Sequence, residues 1–229
     1  MSTIVIVGFG PGISTAVAER FGAAGFSVAL VARNAASLAA GVAALTAKGI
    51  AATACPADAG DPGAIRAAIR KARAALGPIA VVHWNAYRGN EPGDLLTVDP
   101  AAVRDVFDIA VVGLLAAVQE ALPDLKSTPR GAVLVTNGAF GIIDPQIDAM
   151  ATGMKVVGVA LANAAKHKLV GLLSQRLASE GVYVGEVMVA GAVKGTPFAS
   201  EGFGIEASAI ADAFWALYEA RGEIRARVS

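Results

Sequence analysis

One segment of this chain has the residue types and spacing that phosphate chemistry needs. Gly8-Phe9-Gly10-Pro11-Gly12-Ile13-Ser14 follows the apolar run Ile4 to Val7 and leads into an Ala-rich stretch of helical pattern. Amides at a helix N-terminus carry partial positive charge, and glycines let a pyrophosphate come close to them with no Cβ in the way. The expected contacts are Gly8, Gly10, Gly12 and the amide of Ile13. Strict dinucleotide spacing would put glycine at Ile13, so that fingerprint is only partly met, and a tight turn with no ligand is the plain alternative.

A second chemical signal stands at the end of the next apolar run, Leu30-Val31-Ala32-Arg33-Asn34. An acidic residue there would accept from a ribose 2′-hydroxyl, whereas a 2′-phosphate calls for a cation. Ala32 leaves no carboxylate to repel phosphate, and Arg33 can give it a bidentate, charge-assisted pair. This pattern favours NADP(H) over NAD(H).

Such groups need a scaffold, and the chain alternates short β-branched runs with longer helical stretches. Ile4 to Val7, Ser27 to Ala32, Ile50 to Cys55, Ile79 to His83, Ala132 to Thr136 and Val182 to Val189 read as strands. Gly12 to Ala24, Ala35 to Ala47, Asp61 to Leu76, Pro100 to Leu122, a long stretch near Ala149 to Ser179, and Glu206 to Glu219 read as helices. Strands apolar on both sides, alternating with helices, imply an α/β fold: a doubly wound parallel sheet in a single-domain Rossmann arrangement over residues 1–229. No linker or repeat divides the series. The loop Ala192 to Ile205, with Gly195, Pro197, Gly202 and Gly204, stands where active-site lids often occur.

Composition narrows the partners. Lys and Arg number 19 and Asp and Glu 19, so zero formal charge offers no field for nucleic acid or an anionic membrane. The chain is 55% hydrophobic and 17% charged, which excludes disorder. Glycines and Pro11 break the uncharged N-terminal stretch, and no basic residue precedes Ile4 to Val7, so neither a membrane span nor a signal peptide is expected and a cytoplasmic location is. The single cysteine, Cys55, reads as a small buried hydrophobe. His83 and His167 have no partner at metal-ligand spacing, so no metal is expected. No Gly-x-Ser-x-Gly elbow supports a serine hydrolase.

The order of these motifs resembles the short-chain dehydrogenase/reductase family, whose turn is Gly-x-x-x-Gly-x-Gly. Gly8 and Gly12 match it, and Ser14 stands at its third glycine. Asp58 after the third strand looks like the family's adenine-contacting Asp, and Asn85-Ala86 after the fourth looks like its Asn-Ala-Gly. Thr196 resembles the Thr beyond the Pro-Gly turn, although Ala190-Gly191 replaces Pro-Gly and the Thr sits one residue late. The resemblance covers nearly the whole chain. It implies a small-molecule substrate and a homodimer or homotetramer packed through surfaces such as Ile109 to Leu122 and Val156 to Ala165.

The resemblance also implies a catalytic set: a Tyr-x-x-x-Lys pair whose Tyr protonates a carbonyl oxygen while its Lys holds the nicotinamide ribose, an upstream Ser and an Asn. Mapped from the fifth strand, Gly138 takes the Ser position, Ala151 the Tyr, Lys155 the Lys, and Ala110 the Asn. Measured back from Gly191, the lysine is instead Lys166, with Ala162 at the Tyr position. Both registers lack the tyrosine. A positioned general acid contributes ~10²- to 10⁴-fold, so its loss matters. Tyr87, after Asn85-Ala86, is the candidate substitute acid. Asp148 lies two helical turns before Lys155, but an ionised carboxylate is a poor donor at neutral pH. Asn137 could orient a substrate but has no proton to give.

Two functions follow from this reading. One is an NADP(H)-dependent oxidoreductase acting on a small organic acceptor already activated, such as an imine or a conjugated C=C. The other is a catalytically silent dinucleotide-binding protein, a sensor or partner subunit.

Overall fold

In the computed structural model, residues 2–88, 93–196, 199 and 203–229 are described. Seven parallel strands form one sheet in the order β3-β2-β1-β4-β5-β6-β7. The strands are β1 (Thr3–Val7), β2 (Ser27–Ala32), β3 (Ala52–Pro56), β4 (Ile79–Trp84), β5 (Ala132–Gly138), β6 (Tyr183–Val189) and β7 (Arg225–Val228). The helices are α1 (Ile13–Ala23), α2 (Ala35–Ala47), α3 (Pro62–Leu76), α4 (Pro100–Phe107), α5 (Leu114–Ser127), α6 (Pro145–Gly153), α7 (Val157–Ala178) and α8 (Ala207–Ala220). The expected doubly wound sheet is therefore present, with the strand order reversing between β1 and β4.

Two cores sandwich the sheet. Ile4 and Ile6 of β1 pack with α1, α2 and α8 through Phe21, Leu38 and Phe214. Val5 and Val7 turn the other way, onto α3, α5 and α7 through Ile65, Leu114 and Val170. Burial on both faces is why the strands show no polar alternation. No helix among the described residues is long and apolar enough to cross a membrane.

Helix starts follow local chemistry. Asp61, Asp99 and Asp144 each accept from first-turn amides of α3, α4 and α6, and proline follows each at the first helical position. The carboxylate satisfies donors that have no helical partner, while proline has no N–H there to leave unpaired.

The structure corrects the sequence expectations in three places. Pro100 to Leu122 is not one α-helix: a π-helical turn over Asp108–Gly113 separates α4 from α5, and α5 runs through Pro123 to Ser127. Leu125, 1% exposed, draws the turn beyond the proline onto the core. The long stretch near Ala149 to Ser179 is two helices, broken at Met154 to Val156. The edge strand β7 was not expected. Of the C-terminal loop, Pro197 and Gly202 lie outside the described residues.

Candidate functional site

The C-terminal ends of β1 and β4, at the point where strand order reverses, hold the glycine turn. Gly8 has φ +85°, and a Cβ there would stand 2.4 Å from the Ala86 nitrogen. Asn85 ties the two strand ends together: its backbone N–H donates to Val7 O at 2.8 Å and its Nδ2 to Gly8 O at 3.2 Å. Gly12 has φ +86°, and a Cβ there would lie 3.1 Å from Thr196 Cγ2. Thr196 is itself fixed by donating from Oγ1 to Val193 O at 2.6 Å. Gly8, Asn85, Ala86, Gly12 and Thr196 therefore converge although they are far apart in sequence.

Ser14 braces this turn. Fully buried, it accepts from the Gly10 amide and donates to Gly10 O, each at 2.9 Å, and Thr15 Oγ1 donates to the same carbonyl at 2.8 Å. A third glycine at position 14 could not make these bonds. Helix α1 begins at Ile13 with no side-chain cap, so its N-terminal end, with the partial positive charge of the helix dipole, is left to face an anion. The cradle that a Cβ would fill and the uncapped helix together fit a pyrophosphate.

Arg33 is exposed just beyond β2, where Asn34 caps α2 by accepting from the Ser37 amide at 2.9 Å. Asp58, also exposed, accepts from the Gly60 amide at 2.9 Å. It rims a recess of about 210 Å³ whose other side is formed by Arg88 and Asp105, paired at 2.7 Å. Tyr87 projects from the loop after β4 and is 56% exposed. Partial burial raises its hydroxyl pKa, away from the range of a neutral-pH acid.

The lysine candidates occupy different environments. Lys155 is exposed and left-handed at φ 55°, just beyond α6. Its amide donates to Thr152 O at 3.1 Å and that of Val156 to Ala151 O at 2.9 Å. These are the two bonds of a Schellman stop, with Lys155 at the position glycine usually takes. The structure thus corrects the expectation that Lys155 lies on the long helix: it ends the short one, and Ala151 is buried within α6. Lys166 is on α7, 4% exposed, and its Nζ donates to Thr136 O at 3.0 Å near the end of β5. Burial lowers its pKa to about 8, partly opposed by Glu186.

Around Lys166 the other mapped positions come together. One turn before it, Ala162 packs against Ala110 and Val106 in a small apolar cluster. Gly138 faces the same helix, and a Cβ there would stand 2.6 Å from Asn163 Nδ2. The Ala110 and Ala162 positions therefore pack together, and α7 meets the end of β5 through Asn163 at Gly138 and through Lys166 at Thr136.

Behind this cluster lies a polar network that the sequence did not reveal. Glu186 of β6 is fully buried and accepts from Asn137 Nδ2 at 2.5 Å and Arg225 Nε at 2.9 Å, with His167 Nδ1 at 2.9 Å. Asn137 Nδ2 also donates to Asn163 O at 3.0 Å, and Asn137 Oδ1 accepts from the Gly138 amide at 3.0 Å. His83 sits beside the network, its Nε2 3.1 Å from Thr136 Oγ1, and burial lowers its pKa to about 3, so it stays neutral.

A family model described as short chain dehydrogenase matches residues 2–202. No curated protein matches the chain. Among solved structures, a mutant of the Serratia marcescens short-chain dehydrogenase/reductase superposes with TM-score 0.84 at 21% identity, covering 99% of this chain and 96% of its own. A metagenomic short-chain oxidoreductase in complex with NADP gives 0.79 at 22%, covering 99% and 95%. A short-chain dehydrogenase from Sphingobium yanoikuyae in complex with NADPH gives 0.81 at 23%, covering 99% and 87%. At such identities the structural likeness establishes the fold.

Proposed function

Because the chain belongs to the short-chain dehydrogenase/reductase family, with its model matched across residues 2–202, we propose that it is an NADP(H)-dependent oxidoreductase acting on a small organic acceptor already activated toward hydride. The observation that carries this reading is the cradle of Gly8, Gly12 and uncapped α1, with Arg33 exposed at the end of β2. Structural relatives described in complex with NADP and with NADPH support the choice of dinucleotide.

In this reading Gly8, Gly10, Gly12 and Ile13 hold the pyrophosphate, Arg33 the 2′-phosphate and Asp58 the adenine edge. Asn85, Ala86 and Thr196 border the nicotinamide end, and the ribose-holding lysine is Lys166 rather than Lys155. The bound dinucleotide supplies hydride. The protein's own contribution is positioning, which by itself is worth several kcal/mol. Ala162 and Gly138 carry no hydroxyl, so a simple ketone finds no acid of the usual kind, and an imine or a conjugated C=C needs none. Tyr87 as acid is disfavoured by its raised pKa. The apolar packing of Ala162 on Ala110 and Val106 supports the second reading, a silent NADP(H)-binding protein.

Titration calorimetry tests the cofactor assignment. A charge-assisted pair between Arg33 and the 2′-phosphate contributes about 1.5 to 3 kcal/mol, roughly ten- to a hundredfold in favour of NADPH over NADH. Arg33→Ala should abolish that preference and leave NADH binding unchanged. Equal affinities in the wild type would refute the assignment.

A further inference from the structure

Lys166 is a buried ammonium with donors to spare. Of its three N–H groups, one is engaged by Thr136 O, the single hydrogen-bond acceptor it has among the described residues. One turn earlier on its helix stands Ala162, and across from that helix stands Gly138, so neither of these two positions offers a side-chain hydroxyl. A buried ammonium with unmet donors favours an acceptor that develops negative charge beside it.

We infer that Lys166 itself protonates the acceptor at oxygen, which makes the substrate an α,β-unsaturated carbonyl compound rather than an iminium. This rests on the oxidoreductase reading above. An iminium is already cationic and would be repelled by the ammonium, whereas an enone places its charge on oxygen. As hydride joins the β-carbon, the C=C pair shifts to the adjoining C–C bond and the carbonyl π pair moves onto oxygen. The oxygen takes a proton from Lys166, giving the enol of the saturated carbonyl compound. The neutral amine then regains a proton from solvent. The substrate gains hydride and proton, and the dinucleotide, oxidised, supplies the two electrons.

The surroundings suit an acid working near neutrality. Desolvation pulls the amine toward its neutral form, to about 8, while Glu186 on β6 restrains that drop. Arg225 on β7 and His167 on α7 are directed at Glu186, and Lys168 on α7 is exposed. His83 on β4 is neutral, and Thr136 and Asn137 on β5 carry no charge. The α4 and π-helical segments packed on α7 bring Arg104, Asp105 and Asp108, and Asp105 is engaged by Arg88. A donor with a pKa near the working pH is the efficient kind.

Two experiments on the full chain test this. In the first, protein saturated with NADP+ is mixed at pH 6 with 4-nitrophenol, whose anion resembles the developing oxyanion. The wild type and Lys166→Arg, both cationic, should turn the dye to yellow nitrophenolate, and Lys166→Met should not. A dye that stays colourless with the wild type, or colours equally with Lys166→Met, overturns the inference. In the second, NADPH turnover is followed with cyclohexenone and with a cyclic iminium salt. Cyclohexenone should react at least tenfold faster, and its rate should fall about tenfold per pH unit above about 8. Lys166→Met should lose ~10²- to 10⁴-fold, and Lys166→Arg, whose guanidinium can steady an oxyanion but does not give up its proton, should also be slowed while showing no fall near that pH. Faster iminium reduction, or an unchanged pH profile in Lys166→Arg, overturns the inference. Reduction of neither acceptor refutes the oxidoreductase reading instead, while the dye result still decides whether Lys166 faces an oxyanion.

Discussion

Replacing Glu186 by leucine should destabilise the fold by about 3 kcal/mol, a figure that follows from who loses a partner. The carboxylate is fully buried, whereas the Arg225 and His167 side chains are 39% and 37% exposed. Those two regain water when the carboxylate goes, so their ion pairs count for little. Asn137 is 2% exposed, and its Nδ2 would be left with Asn163 O alone. A buried donor left unsatisfied costs about 1 to 3 kcal/mol. Lys166, 4% exposed, would lose its compensating charge, which adds to the penalty because an uncompensated buried charge is strongly unfavourable. Glu186→Gln keeps an oxygen for Asn137 and should cost about 1 kcal/mol. Arg225→Ala leaves the buried carboxylate with Asn137 and His167 and should cost about 2 kcal/mol, less than the leucine substitution. Urea unfolding followed by circular dichroism measures all three. A loss under about 1 kcal/mol in Glu186→Leu, or Arg225→Ala equalling it, would refute the reasoning.

Lys155→Gly should raise stability by about 1 kcal/mol in the same unfolding assay, because it relieves a left-handed non-glycine residue at a helix stop. It should also leave NADPH affinity unchanged by calorimetry, which would not hold if Lys155 gripped the ribose. Lys166 makes stability depend on pH. Its folded pKa of about 8 lies below the ordinary 10.5, so between those values the unfolded chain binds more protons and stability rises with pH. The gain, up to about 3 kcal/mol, is measured as the difference between wild type and Lys166→Met, which removes the contribution of the tyrosines.

What the sequence revealed and what it hid divide by the range of the interactions. Strands β1 to β6 were legible because each is a short apolar run bounded by turn residues, and the glycine turn because it sits between a strand and a helix. Strand β7 was not, since Arg225 and Arg227 alternate with Ala226 and Val228 at a sheet edge, giving no apolar run. Asp144-Pro145 repeats the start signal of Asp61-Pro62 and Asp99-Pro100 and could have placed α6. Missing it merged α6 with α7 and put Lys155 on the wrong element. Counting residues from the fifth strand and back from Gly191 gives two different lysines because α6 intervenes between β5 and α7. Of the two, Lys166 is the buried one, and its Nζ donates to Thr136 O of β5. The Glu186 network joins positions 137, 163, 186 and 225, and no local pattern announces contacts of that range. Ser14 read as a departure from the glycine pattern, yet its hydroxyl bonds hold the turn in shape.

The most direct test of the oxidoreductase reading is stereospecific deuterium transfer. NADPH deuterated at C4, prepared separately on each face, is incubated with the protein and a panel of conjugated carbonyl compounds and cyclic imines, and product is analysed by mass spectrometry. The account predicts deuterium in product from one face only, lost in Lys166→Met and retained in Lys155→Ala. Tight NADPH binding with no transfer to any acceptor would contradict it and leave a silent dinucleotide-binding protein in its place.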